Sequence, residues 1–478
     1  MAKTFFQLIC PRNYPAITAI VVLYVSNQLF IQKLFSMKKW LLAASAGLLF
    51  SSNLMAQAKK IQFVKYSLPN GLKVILHQDN TAPVVAVTAL YHVGSKNEDT
   101  SRTGFAHFFE HLLFEGSDNI KRGEYDKYVT NAGGALNANT TTDRTFYFEL
   151  LPANQLKLGL WLESERMMHA KIEQIGVNTQ REVVKEEKRQ RYDNRPYGSI
   201  IPEIMKRSFS VHPYKWTPIG SMDHLNAAKL EEFIGFYKTY YVPNNCVLSI
   251  AGDINIDSTK QMIAAYFGDI ESGKKPMYRP NITEPPLGHE VRDTVKDNIQ
   301  LPMIIQAYRA PKQGSPEYYS FHLLSTLLAG GGSSRLNKTL VDDQELALQA
   351  GAFPYFMEDE GLFINYALPN RGIAPDKLEK AIDSIVNSLK GTTISEHEYQ
   401  KVQNQIESDF VTRNGTMAGI AESLANYEVY FGDADLINTE LLKYKKVTRE
   451  DLKAVAAKYF NDNNRVVLYY LPKGGKKK

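Results

Sequence analysis

His107, Glu110 and His111 stand together in Gly104-Phe-Ala-His107-Phe-Phe-Glu110-His111-Leu-Leu-Phe-Glu-Gly116. Residues three and four apart share a helix face, so a helix here sets two imidazoles side by side with a carboxylate next to them. Pro is absent, Gly occurs only at the two ends, and the apolar residues allow a helix of roughly three turns. Two His so spaced supply two of the three protein ligands that a catalytic zinc takes, leaving a position for water. The carboxylate can take a proton from that water. The order is H-x-x-E-H, the reverse of H-E-x-x-H. Three fixed residues also arise by chance, and a lone helical His is usually a core or capping residue. A His pair with an interposed Glu among Phe and Leu fits that role less well, because unpaired polar groups there are costly.

The elements that must position these groups follow in order. Two alternating runs around Pro69-Asn70-Gly71 read as a hairpin, and residues 84–93 as a strand. After the histidines, Gly133-Gly134 opens a polar strand, Ala135-Leu-Asn-Ala-Asn-Thr140, followed by an apolar one at 146–151. So polar a strand suits a sheet edge, where an extended peptide can add as a further strand. Spacing alone leaves a plain surface hairpin equally open. Residues 156–168 and 177–192 read as helices. In the second, Glu187 lies four after Val183 and three after Val184 and shares their inward face. An inward carboxylate needs a partner, and the His pair lacks a third ligand. Glu187 fits that place, or it pairs with Arg191 one turn on.

Further along, 233–241 is an expected helix and 246–251 a strand. Residues 271–290 are rich in Gly, Pro and Lys and read as an interdomain linker. Strand, helix, strand and helix recur at 303–309, 317–328, 362–368 and 376–389. Leu151-Pro152 and Leu368-Pro369 each end a strand and precede an amphipathic helix. This predicts a duplicated α+β unit, with the metal motif in the first copy alone. The second copy carries His322 but no H-x-x-E-H.

The chain has 478 residues, 44% apolar and 22% charged, which excludes disordered and collagen-like classes and allows two or three domains. Its net charge of +5 is inflated by the terminal Lys run, and no basic face for nucleic acid is visible. Two cysteines, Cys10 and Cys246, make no disulfide framework; Cys246 reads as a small buried hydrophobe. From Met37 the chain resembles a secretory leader: Lys38-Lys39, apolar residues 40–50, then Ala56-Gln57-Ala58. Cleavage is expected after Ala58, with export to the periplasm of a Gram-negative bacterium. Residues 1–36 read as an upstream extension; an uncleaved membrane anchor is the alternative.

The whole set resembles the insulinase/pitrilysin family of zinc metallopeptidases, the inverzincins, and most of all its half-length bacterial members related to the mitochondrial processing peptidase. The likeness rests on His107-x-x-Glu110-His111, Glu187, Gly133-Gly134-x-x-Asn137-Ala138-x-Thr140, Tyr240-Tyr-x-Pro-Asn-Asn245 and Gly252-Asp253. It runs over about residues 63–471. It implies two homologous α+β domains, each a mainly antiparallel sheet packed with helices: a catalytic domain at 59–270, the linker at 271–290 and a domain without the motif at 291–478. It implies one zinc on His107, His111 and Glu187, and Glu110 as general base of a metalloendopeptidase. Ala135, Leu136, Asn137, Ala138 and Thr140 would dock the substrate backbone. Full-length members join four such domains into a closed chamber, so the resemblance implies a dimer, either of this chain or with a homologous subunit lacking the motif. The alternative is a non-catalytic or partner-dependent assembly subunit. Two departures stand out. Many relatives carry a second Glu where this chain has Gln180, and an Arg and a Tyr where it has Val341 and Leu348.

Overall fold

The computed structural model describes residues 60–473; the leader expected at 1–58 lies outside them. The first half contains β1 (Val64–Ser67), β2 (Lys73–Gln78), β3 (Val84–Tyr91), α1 (Phe105–Leu112), α2 (Tyr125–Asn131), β4 (Ala135–Thr140) and β5 (Thr145–Pro152). It continues through α3 (Leu156–Met168), α4 (Gln174–Lys188), α5 (Ile200–Ser208), α6 (Met222–Ala227), α7 (Leu230–Tyr240), β6 (Cys246–Gly252) and α8 (Ile256–Phe267). The second half contains β7 (Val291–Asp297), β8 (Met303–Ala310), α9 (Pro316–Ala329), β9 (Ala347–Phe356), β10 (Gly361–Pro369) and α10 (Pro375–Gly391). Then come α11 (Glu396–Arg413), α12 (Met417–Phe431), α13 (Leu436–Lys446), α14 (Arg449–Tyr459) and β11 (Arg465–Pro472).

The strands form two sheets, six-stranded β1-β2-β6-β3-β5-β4 and five-stranded β7-β11-β8-β10-β9. Apart from parallel pairs β2/β6 and β7/β11, every neighbour is antiparallel. The two orders superimpose when β1 is set aside, and this is the duplication expected from the repeated strand–helix pattern. In both copies the strand after the first helix, β4 or β9, lies at the outer edge. The Asn-Gly hairpin joins β1 to β2 with Ser67 opposite Lys73, and Gly71 takes φ 88°, a left-handed turn position that glycine adopts without strain.

Strand β3 is apolar except for Thr88, because both its faces are covered. Val85, Val87 and Tyr91 point into a core shared with α1, α3 and α7. Ala86 and Leu90 point the other way, where Ile420, Leu424 and Ala425 of α12 pack on them. The second sheet is covered in return: Ile204 and Met205 of α5 pack with Ile305, Ile364 and Leu468. Each half therefore lends one helix to the other half's sheet. Periodicity reveals an apolar face but not its partner, so this exchange is not readable from the chain.

The segment 271–290 has no helix or strand, and it is bonded rather than free. Arg279 donates to the His92 carbonyl and to Asn245 Oδ1, each at 2.5 Å. Glu284 is only 4% exposed and accepts from the Ser210 hydroxyl (2.6 Å) and the His212 N–H (2.6 Å). Cys246 is a buried free thiol. Among the described residues no helix is long and apolar enough to cross a membrane.

Candidate metal centre

Helix α1 spans two turns rather than three, and its sequence divides it into two faces. Phe105, Phe108, Phe109 and Leu112 are buried in the first core, with Phe105 stacked on Phe233 (centroids 4.6 Å apart) and Phe109 on Phe236 (5.5 Å). His107, Glu110 and His111 occupy the complementary face, as 3.6-residue periodicity requires. Gly104 caps the helix at φ 101°, a conformation that would strain a side chain. Glu98 accepts from the Gly104 N–H (2.9 Å) and the Ala106 N–H (2.8 Å), setting a carboxyl at the positive end of the helix. Burial pushes the Glu98 pKa up to about 8 against the pull of those bonds. At the other end, the buried Arg166 guanidinium donates to the Leu113 carbonyl (3.1 Å) and to the Tyr125 hydroxyl (2.7 Å). The Tyr147 hydroxyl donates to the Phe109 carbonyl (2.9 Å). The helix is thus pinned at both ends by groups that its local periodicity does not announce.

Helix α4 brings the third donor. Val177 and Val184 are buried against the core, and Glu187 follows on the same face one turn later. Val183, expected on that face, is 42% exposed. The inward stripe is 177, 184 and 187, without 183. Its Oε2 lies 3.1 Å from His111 Nε2 and 3.4 Å from His107 Nε2. Its Oε1 accepts from Arg191 at 2.8 Å. The two roles open to Glu187 are therefore compatible, one oxygen each. Beyond Lys188 the helix widens into a π-turn, Arg189–Asp193, which carries Arg191.

The three ligand atoms lie within 4.8 Å of one another, and among the described residues no other three His, Cys, Asp or Glu side chains are so grouped. Burial pushes the Glu187 carboxyl up, but hydrogen bonds from His107 and His111 outweigh it and hold the group well below the usual carboxylate range. Both Nε2 atoms aim at one oxygen. Without a cation, two ring protons must share that oxygen; a cation instead takes both nitrogen lone pairs and the carboxylate. Two imidazoles and a carboxylate are a donor set suited to zinc.

Glu110 is half-buried beside this group, and its Oε2 accepts from the Thr140 hydroxyl at 2.6 Å. Thr140 ends β4, which pairs with β5 alone; Ala138 faces Tyr147 and Asn137 faces Phe148. Ala135 and Asn137 are exposed, while Leu136 and Ala138 lean on the core. Gln180 donates to Glu115 Oε1 at 2.5 Å, and Glu115 also pairs with Arg122. In the second half, Val341 packs on the core and Leu348 is 51% exposed on edge strand β9. His322 stacks on Phe356 (5.3 Å), and burial, then the Arg413 charge, push its pKa down to about 3.

Residues 73–217 match the family Insulinase (Peptidase family M16), and residues 227–406 match Peptidase M16 inactive domain. The protein named zinc protease PqqE of Helicobacter pylori is 31% identical over 445 residues, covering 92% of this chain and 100% of its own length. The chain belongs to the insulinase family. Within that family, the probable mitochondrial-processing peptidase subunit beta of Arabidopsis thaliana is 24% identical over 408 residues, covering 84% of this chain and 76% of that protein. The crystal structure of a protease from Helicobacter pylori superimposes with a TM-score of 0.82 at 30% identity, over 86% of this chain and 100% of that one. The periplasmic protease PqqL from Escherichia coli shares the fold (TM-score 0.71, 17% identity), and this chain spans 48% of it. The Insulinase match contains the whole of α1 and α4, hence all four residues of the group. The inactive-domain match contains none of them.

Proposed function

We propose that the chain is an exported zinc endopeptidase that hydrolyses peptides or unfolded polypeptide segments. The convergence of His107, His111 and Glu187 beside Glu110, next to an edge strand, carries this reading. The similarity to a protein named zinc protease supports it. His107, His111 and Glu187 would hold the metal, and Arg191 keeps the Glu187 carboxylate from turning. When bound, zinc supplies a Lewis acid that acidifies water and polarises a carbonyl. Glu110 takes a proton from the water attacking the scissile carbonyl and hands it to the departing amine. Thr140 occupies one Glu110 oxygen and so turns the other toward that proton. An extended peptide adds along the free edge of β4 as a further strand. The Ala138 N–H donates to Asn137 Oδ1 (2.8 Å), a local bond that an added strand would replace.

A second reading, a subunit that cleaves only together with a partner chain, is favoured by apolar Val341 and Leu348 in the places where relatives carry Arg and Tyr. Metal analysis with a chelator-sensitive peptide assay, run with and without the neighbouring gene's product, separates the two. One zinc per chain and chelator-sensitive cleavage are expected; a chain that takes up no zinc sinks both. Glu110→Gln should keep the zinc and lower kcat on the order of 100-fold or more. Surviving activity would refute the assigned base. Export rests on residues 37–58, and a mature chain starting at Lys59 is expected; a retained Met1 rules it out.

A further inference from the structure

The turn Thr141–Arg144 between β4 and β5 is held from both halves of the molecule. Its own bonds suffice to close it: the Thr141 N–H donates to the Arg144 carbonyl (2.8 Å), and the Asp143 and Arg144 N–H groups donate to Thr141 Oγ1 (3.2 and 3.1 Å). Yet Asp143 is only 4% exposed and sits in a polar cluster spanning both halves. Its Oδ1 lies 3.0 Å from Lys96 Nζ and accepts from the Tyr214 hydroxyl at 2.7 Å. Its Oδ2 accepts from the Glu358 N–H at 3.1 Å, in the turn joining β9 to β10. Lys96, 3% exposed, also reaches Glu358 (2.5 Å) and Asp359 (3.1 Å). The neighbouring Arg144 is claimed from another side: it donates to Glu422 Oε1 and Asn426 Oδ1 of α12, both at 2.6 Å. Gly94 lies so close beneath that an added Cβ would fall 2.4 Å from the Asp143 nitrogen. The residue just before this turn is Thr140, whose hydroxyl is on Glu110.

From this chain of contacts we infer that Asp143 and Arg144 are positioning residues, through which the second half sets Thr140 and thereby the Glu110 carboxylate and the free edge of β4. This rests on the peptidase reading above. It gives the motif-less half a task in the chemistry. Its β9–β10 turn and its helix α12 grip two adjacent residues of one short turn, and the strand that enters the turn carries the contact to the base. Side chains that support a reacting group from behind are commonly worth roughly 10- to 100-fold in activity.

The test uses the full chain with zinc bound. Asp143→Asn, Arg144→Met and Glu422→Ala are compared with Glu422→Gln, which keeps a hydrogen-bonding side chain toward Arg144. Expected are a kcat loss of roughly 10- to 100-fold in the first three with zinc content retained, partial recovery in Glu422→Gln, and faster amide hydrogen exchange over residues 135–145. Combined with Thr140→Val, the losses should fall well short of multiplying, since both changes act through one contact. Unchanged kcat and unchanged exchange at 135–140 would overturn the inference and reduce the cluster to a stabiliser of the interface. Independent, multiplying losses would overturn it as well. Where Asp143→Asn does not fold, Glu422→Ala at the exposed end of the cluster carries the same comparison. Failure of the peptidase reading appears in the unsubstituted chain as missing zinc and missing cleavage, whereas failure of the clamp appears only in the variants.

Discussion

One carboxylate is shared by three side chains in the metal group. Glu187 gives one oxygen to the two imidazoles and the other to Arg191. Glu187→Gln keeps the volume and removes the charge, so the site loses an anionic ligand and Arg191 its ion pair. Zinc affinity should fall by more than the roughly 10- to 100-fold that loss of a supporting residue costs. Competition with a chromophoric chelator measures it, and an unchanged affinity would remove Glu187 from the ligand set. The identities of His107, Glu110 and His111 were legible from spacing because helix geometry alone puts them on one face. Thr140 was legible as part of a polar strand and, through the resemblance, as a substrate-docking residue, but not as a partner of Glu110. Its hydroxyl contact with Glu110 joins residues 30 apart, a distance at which no local period operates.

Helix α1 is short, and isolated helices of two turns are not stable in water. What holds it is the aromatic packing of Phe105, Phe108 and Phe109, together with a hydrogen-bond acceptor at its first turn and the Arg166 guanidinium beyond its last. Glu98→Ala strips the first turn of its acceptor and leaves two buried N–H groups unpaired. Loss of a capping acceptor costs about 1 kcal/mol, and the orphaned donors raise that to about 2 kcal/mol. Urea unfolding reports the loss; a variant as stable as the parent would mean that water replaces the carboxyl. Arg166 has a larger stake, since removing it leaves Glu163 and Glu149 buried without their cation. Arg166→Met should destabilise by on the order of 3–5 kcal/mol. Neither residue belongs to the motif, yet both decide where its helix begins and ends.

Across the whole molecule, the exchanged helices α5 and α12 make the halves interdependent. A fragment ending at residue 290 would keep the metal residues but lose α12, exposing Ile75, Leu90 and Phe146 on the outer face of the first sheet. Such a fragment should bind a hydrophobic dye and aggregate. A monomeric fragment with native-like near-ultraviolet circular dichroism would contradict the packing. Glu284 adds an acid-sensitive tie between the halves: it accepts from 210–212 and lies 3.1 Å from Arg309 on β8. Burial pushes its carboxyl up, but hydrogen bonds from Ser210, Val211 and His212 pull it down from the usual carboxylate range to about 2. A depressed carboxyl contributes stability that is fully present above the unfolded-chain value and is lost as pH falls through the folded one. Here that contribution is on the order of 3 kcal/mol, declining between about pH 5 and pH 2. Thermal unfolding of Glu284→Gln should show a shallower acid slope than the parent; parallel slopes would assign the pH dependence elsewhere.

Much of this was already determined by the amino-acid sequence. The His107, Glu110 and His111 face, the Asn-Gly hairpin, helix 156–168 and the repeated strand–helix order are local patterns, and a local pattern is set by backbone geometry with period two or 3.6. Duplication was visible because both copies repeat those local signals. Tertiary structure alone decided what the patterns meet. Val183 and Val184 look alike in the chain, but only Val184 is buried, because the neighbouring core reaches α4 on one side. The apolar faces of α5 and α12 could have covered their own sheets; packing sends each to the other half. The polar cluster around Asp143 and Lys96 draws on residues 92–96, 143, 212–214 and 358–359, so no segment of the chain foretells it. Long-range contacts form where whole surfaces fit and buried charges find partners, and those conditions belong to the assembled fold.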